Sequence, residues 1–131
     1  MDTLLTWLLK VNIAQLSNNF NVPLDKNVFI SADEMPQFSG GDGALMKYLR
    51  DNILYPVKAM EQGAQGTVLC RFIVASSGEI KDAVIVKSVN PFIEKEVIRI
   101  VNSMPKWVPG KQKGKPVDVY VELPVQFKIQ K

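Results

Sequence analysis

The sequence predicts an α+β domain: a small, mostly antiparallel three-stranded sheet with helices packed on one face. Two observations carry this. In residues 117–129, Val117, Val119, Val121, Leu123, Val125, Phe127 and Ile129 take every odd position, and Asp118, Tyr120, Glu122, Pro124, Gln126 and Lys128 take the even ones. That period of two belongs to a long strand with one buried face. At Gly66 the apolar period changes from helical to alternating, which places the start of the sheet there.

The elements follow in order. Residues 1–32 read as an N-terminal helical segment and connector, and residues 33–131 as the folded domain. In "MDTLLTWLLKVNIAQLS", Leu4, Leu5, Leu8, Leu9, Val11 and Leu16 line one side of an amphipathic helix. The leucine run stops at Lys10 and Asn12, short of the roughly 20 apolar residues of a membrane span, and no small-residue cleavage site follows. A docking or tail helix is the first reading and a shortened anchor the second. "NNFNVPLDKN" is a connector, and "VFISADEMPQF" begins with a short strand that Pro36 ends.

In "SGGDGALMKYLRDNI" the glycines give a tight start, and Ala44, Leu45, Tyr48 and Leu49 form one apolar stripe on a helix. "YPVKAMEQG" places Pro56 in the first turn of a second short helix and Gly63 at its left-handed stop. "TVLCRFIV" and "IKDAVIVKSV", joined by "ASSGEI", form a β-hairpin in which Val68, Cys70, Phe72 and Val74 share a face. Asn90 and Pro91 are cap and first-turn proline of a third helix, where Ile93, Val97, Ile100, Val101 and Met104 recur at helical spacing until Pro105.

Composition narrows function mostly by what is missing. The 131 residues suffice for one domain that buries roughly two thirds of its unfolded surface, so no metal or disulfide is required for stability. There is no histidine and Cys70 is the single cysteine, which removes Ser/His/Asp and Cys/His catalysis and the usual zinc sets. Asp33 and Glu34, the only adjacent acidic pair, read as solvated turn charge. The expectation is a protein with no catalytic residues, no metal and no cofactor. The net charge of +3 is mild. The lysine-rich stretch "PKWVPGKQKGKP" has only Trp107 and Tyr120 as nearby aromatics and no RNA-binding signature, so nucleic acid is not an expected partner.

Pro124 lies inside the last strand, where proline is confined to edges and bulges. If pairing is regular, the even residues aim their N–H and C=O groups away from the domain. Tyr120, Glu122 and Gln126 then present an open edge; a bulge at Pro124 would reverse the parity partway. An edge of this length is either blunted, by Glu122, Pro124 and Lys128, or used to capture an extended peptide as an added strand. At about 0.5–1.5 kcal/mol for each hydrogen bond, five or six bonds against an association cost of at least about 4 kcal/mol give a weak, reversible grip. The residues alone leave both readings open.

Four stretches, "DEMPQFSGGDGALMKYLRDNILYP", "KAMEQGAQGTVLCRFIVASSGEIKDAVIVKSV", "NPFIEKEVIRIVNSMPKWVPGKQKGKPV" and "VELPVQFKI", resemble the C-terminal domain of TonB-type energy transducers, in the form common in Bacteroidetes. The resemblance covers about residues 33–130. It implies a TonB C-terminal-like fold and a non-catalytic periplasmic module of a transducer anchored in the inner membrane beside a proton-driven motor. Such a module pairs its last strand with the TonB box of an outer-membrane receptor and so drives uptake of iron chelates, vitamin B12 or glycans. Carried over by position, the partner-binding residues are Val117, Asp118, Val119, Tyr120, Val121, Glu122, Leu123, Val125, Gln126 and Phe127, with Tyr55 and Pro56 in the segment the family places near the box. The implied partners are the TonB-box segment and, in a full-length form, the motor proteins. The membrane span and Pro-rich spacer of complete transducers are not recognisable in residues 1–32. Self-association into a homodimer through the edge strand, for structural or sensing purposes, is the second functional reading. In the family's terms Trp107 plugs the helix against the sheet, Pro109 and Gly110 make a turn, and Lys111, Lys113 and Lys115 form a solvated tip.

Overall fold

The computed structural model describes residues 2–7 and 24–130 of the chain. The strands are β1 (Asp2–Trp7), β2 (Gly66–Val74), β3 (Ile80–Lys87), β4 (Gly110–Gln112), β5 (Lys115–Val117) and β6 (Val119–Gln130). The helices are α1 (Asp42–Asn52), α2 (Val57–Glu61) and α3 (Pro91–Asn102). A four-stranded antiparallel sheet has the order β1-β6-β2-β3, and β4 and β5 form a separate two-stranded ribbon.

The three strands expected from sequence form the body of the sheet. Val68, Cys70, Phe72 and Val74 of β2 and Val121, Leu123, Val125 and Phe127 of β6 face one core, as the alternation requires. Helices cover this face: α1 contributes Leu45 and Leu49, α2 contributes Ala59, and α3 contributes Ile93, Val97, Ile100 and Val101. The third helix starts as expected, because the Asn90 side chain accepts a hydrogen bond from the Phe92 amide and Pro91 needs no donor there. Pro56 sits one step earlier than expected, as the cap of α2, while Gly63 adopts the left-handed conformation at its end.

Three expectations are corrected. Asp2–Trp7 is a strand and not part of a helix, because the outer flank of β6 supplies backbone partners that a short surface helix cannot match. Leu8, Leu9, Val11 and Leu16, the rest of the expected apolar stripe, lie outside the described residues. The last strand begins at Val119, since Val117 belongs to β5 and Asp118 separates the two. The alternation runs unbroken through this break because it counts residues and not pairings.

The third correction concerns the tryptophan–lysine loop. Gly110 pairs with Val117 inside β4, and the turn is made by Lys113 and Gly114, both at positive φ (53° and 78°). Gly110 is needed for close approach: a Cβ there would lie 2.8 Å from Val119 Cγ2 and 2.9 Å from the Glu34 carbonyl oxygen. Trp107 plugs the core as expected, with edge-on contacts to Phe38 at 5.7 Å and Phe72 at 5.5 Å between ring centroids. Residues 33–37 run beside the ribbon, bridged from Glu34 to Lys111 and from Gln37 to Val108. Asp33, expected as solvated turn charge, also accepts the Lys113 amide and so steadies the turn.

The second face of the sheet is covered in part as well. Val28, Ile73 and Tyr120 form a small cluster with Leu24 against it, so residues 24–30 pack on the domain. The Tyr120 hydroxyl accepts the Asp25 amide at 2.7 Å, and Phe29 forms a parallel bridge to Val119.

Candidate functional site

The parity of β6 can be traced amide by amide. Its pairing with β2 runs from Gly66↔Phe127 to Val74↔Val119 without a shift, so Pro124 lies in a regular strand and no bulge reverses the pattern. The Tyr120 amide points outward to the Phe29 carbonyl (3.0 Å), and the Phe29 amide takes the Asp118 carbonyl (2.9 Å). The Ile129 amide points the other way, toward the β2 side, where it meets Gln65 Oε1 at 2.8 Å. Even residues therefore present their backbone groups outward and odd residues bond inward. Pro124 is even, so its missing donor costs the sheet nothing.

This outer flank is not open, contrary to the sequence expectation. β1 pairs along it in antiparallel register, from Asp2↔Gln130 to Trp7↔Val125. The outward donors and acceptors of Gln126 and Lys128 thus face Thr6 and Leu4. The ladder runs to Val125, one residue short of Pro124, which has no N–H to continue it. At the other end, Phe29 engages Asp118 and Tyr120. Between the two, Val121 to Pro124 have no strand partner on the outer side among the described residues.

The expected partner-binding residues divide accordingly. Val119, Val121, Leu123, Val125 and Phe127 are buried in the sheet and offer backbone alone. Tyr120 is buried under the connector, and Gln126 is half-buried at the flank. Val117 lies in the small ribbon. Asp118 serves the structure: its side chain accepts the Ser76 amide at 2.7 Å and the Lys81 ammonium at 3.1 Å. Burial opposes ionisation of Asp118, but those bonds outweigh it and hold its carboxyl below the usual range.

Tyr55 lies under the same strand. Its ring meets Phe127 edge-on at 5.2 Å, and its hydroxyl donates to the Ala64 carbonyl. Burial raises the pKa of its phenol. Pro56 caps α2 beside it. The "YP" pair is therefore one layer beneath the flank, on the core side of Phe127.

Two features escape the sequence reading. Residues 2–7 fill the edge, and the leucine run that forms them was visible but carries no local signal of strand over helix. Arg71 and Glu122, directly opposite each other on β2 and β6, are both buried although each sits on the face read as polar. The Arg71 guanidinium stacks 5.4 Å from the Tyr120 ring centroid. Neither Glu122 carboxylate oxygen meets a hydrogen-bond donor among the described residues. Burial pushes the Glu122 carboxyl up to about 7, against the opposing pull of Arg71.

Catalytic chemistry finds little material. Burial drives the Cys70 thiol up to about 12, with Glu122 adding to the effect, so this thiol behaves as a small core hydrophobe. Among the described residues no three Cys, Asp or Glu side chains come together as a metal set. No helix among them is long and apolar enough to cross a membrane.

Comparison with known proteins agrees with the fold. No curated protein sequence matches the chain. Two solution structures of the TonB C-terminal domain of Helicobacter pylori are similar in fold. The one spanning residues 194–285 has a TM-score of 0.50 and 18% identity, over 68% of this chain and 94% of that one. The one spanning residues 179–285 has a TM-score of 0.50 and 17% identity, over 66% of this chain and 78% of that one. The family model for the C-terminal region of Gram-negative bacterial TonB proteins matches residues 51–129, from the end of α1 nearly to the end of β6. The chain belongs to the TonB C-terminal domain family.

Proposed function

We propose that this domain is the protein-binding end of a TonB-like energy transducer, and that it captures the TonB box of an outer-membrane receptor as an added strand along the outer flank of β6. It works in the periplasm and without catalysis: it holds the receptor segment through main-chain hydrogen bonds while a proton-driven motor at the inner membrane supplies the pull. One observation carries this reading. The flank of residues 125–130 accepts an extended segment in regular antiparallel register, and Pro124 is tolerated because the even residues face outward. The Tyr55 ring packed edge-on against Phe127 supports the strand from beneath.

Titration of isotope-labelled protein with a TonB-box peptide tests this. Amide shifts concentrated at residues 119–130, with those of β3 unmoved, are the expected result, and shifts confined elsewhere defeat the reading. A second reading is favoured by the same pairing, since β1 of another copy could meet β6 in the register its own β1 uses, giving a homodimer without transport coupling. Sedimentation across a concentration series separates the two, because a dimer sealed through its edges leaves no flank for the peptide.

A further inference from the structure

A captured receptor segment and the chain's own β1 need the same backbone groups. We propose that β1 is a tethered stand-in strand: it occupies residues 125–130 of β6 until an incoming peptide displaces it. The proposal rests on the strand-addition reading above and adds to it a built-in competitor.

The register argues for competition in place of coexistence. Asp2, Leu4 and Thr6 stand opposite Gln130, Lys128 and Gln126, the even residues whose N–H and C=O groups point outward. In an antiparallel ladder such pairs exchange both bonds, so no outward group of these three residues is left for a second strand. β1 also lies on the part of the flank that is richest in donors, beyond Pro124. Covering it there removes the edge that would otherwise invite aggregation.

The connection makes the competition strong but reversible. Sixteen residues separate Trp7 from Leu24, and Leu24 is held against the sheet by Val28, Ile73 and Tyr120. A strand released from β6 therefore stays near it, at an effective concentration of about 1 mM. A free peptide of equal intrinsic affinity has to approach that concentration to win. The flank also keeps a starting point for exchange. Val121 to Pro124 have no strand partner on the outer side among the described residues, so an incoming strand can bond at Glu122 first and then advance toward Gln130 as β1 peels away.

The test uses the full chain with Leu4→Pro and Thr6→Pro together, which removes two donors that face β6, and Leu5→Pro as a control whose lost N–H faces away. Two probes are added separately: a synthetic peptide of residues 1–9 and a receptor TonB-box peptide. Hydrogen exchange at Gln126 and Lys128 reports the edge, and the amides of residues 66–87 report the fold. The double variant is expected to lose protection at Gln126 and Lys128 with residues 66–87 unchanged, and the 1–9 peptide in trans to restore it. The TonB-box peptide is expected to bind the double variant at least about tenfold tighter than the intact chain or the control, the factor for an edge at least 90% occupied. Unchanged protection in the double variant, or equal TonB-box affinity in all three proteins, overturns the stand-in role. If the 1–9 peptide binds and the TonB-box peptide binds none of them, the receptor-capture reading itself falls, and the stand-in role with it.

Discussion

Arg71 and Glu122 face each other across β2 and β6 and are both buried, at 3% and 1% exposure. A buried carboxylate is stable only when its polar atoms are satisfied, and the Glu122 oxygens have no hydrogen-bond donor among the described residues. The carboxyl answers by holding its proton up to about pH 7, because desolvation outweighs the attraction of Arg71. β6 thus carries an acid that titrates near neutrality.

The first prediction follows from that acid. Its pKa in the folded state lies above the ordinary 4.5, so between the two values the folded protein binds more protons than the unfolded chain. The resulting stability is fully present below pH 4.5 and is lost as pH rises through about 7. Histidine, the side chain that ordinarily titrates here, is absent from the sequence. Urea midpoints measured from pH 5 to 8 are expected to fall by the equivalent of about 1–3 kcal/mol. Glu122→Gln is expected to flatten this slope, and a slope that persists in the variant refutes the assignment.

Gly78 lies where the β2–β3 turn meets the loop after α3. Its φ is +90°, a Cβ there would lie 2.3 Å from the Trp107 carbonyl oxygen, and its own carbonyl accepts the Trp107 amide at 2.8 Å. Gly78→Ala adds left-handed strain of roughly 1–2 kcal/mol to a backbone clash that the turn has to open to relieve. A loss of about 2–4 kcal/mol in denaturant unfolding is expected; a loss under about 1 kcal/mol would show that the turn and the loop are not locked together.

Trp107 packs edge-on against both Phe38 and Phe72, but its indole N–H has no acceptor among the described residues. Truncation and conservative replacement should therefore differ widely. Trp107→Ala is expected to cost about 3–5 kcal/mol. Trp107→Phe keeps the edge-on contacts and removes an unbonded donor, so a cost of about 1–2 kcal/mol is expected in the same titration.

Sequence reasoning reached the parts of this fold that are decided locally. The alternation of β6, the Asn90 cap and the stripes of α1 and α3 each follow from neighbours within a few residues, and each is present. The side to which Pro124 points was also legible, since it needs only the period of a strand. What escaped depends on distant partners. A leucine-rich hexapeptide serves helix or strand alike, and residues 2–7 become a strand because β6, over a hundred residues later, has backbone groups to satisfy. Glu122 and Arg71 look like a solvated pair in the alternating pattern, and their burial rests on what covers the second face. The break at Asp118 comes from its bonds to Ser76 and Lys81, which no local pattern announces.

The tip of the small ribbon invites a stabilising change. Lys113 and Gly114 both have positive φ, as in a type I′ turn, where asparagine in the first position suits the left-handed backbone better than lysine. The Lys113 amide, bonded to Asp33 Oδ2 at 2.9 Å, is kept in the substitution. Lys113→Asn is expected to raise stability by about 0.5–1 kcal/mol, read from the denaturant midpoint. A drop would mean that the lysine side chain has a structural role at the tip.

The parity of β6 itself can be tested with two adjacent prolines. Val125 is odd and its N–H bonds inward to β2, so Val125→Pro breaks the central ladder and is expected to cost about 3 kcal/mol or more. Gln126 is even and its N–H faces outward, so Gln126→Pro leaves the pairing with β2 in place and removes a donor opposite Thr6, near the end of the β1 ladder. Its expected cost is about 1 kcal/mol, close to that of one hydrogen bond. The binding consequence is read in the Leu4→Pro, Thr6→Pro background, where β1 no longer competes: there Gln126→Pro should weaken capture of a TonB-box peptide while the fold survives, since the added strand loses a main-chain partner. Equal stability losses in the two variants would mean that the strand is not paired with fixed parity, and undiminished peptide binding by Gln126→Pro in the Leu4→Pro, Thr6→Pro background would place capture away from this flank.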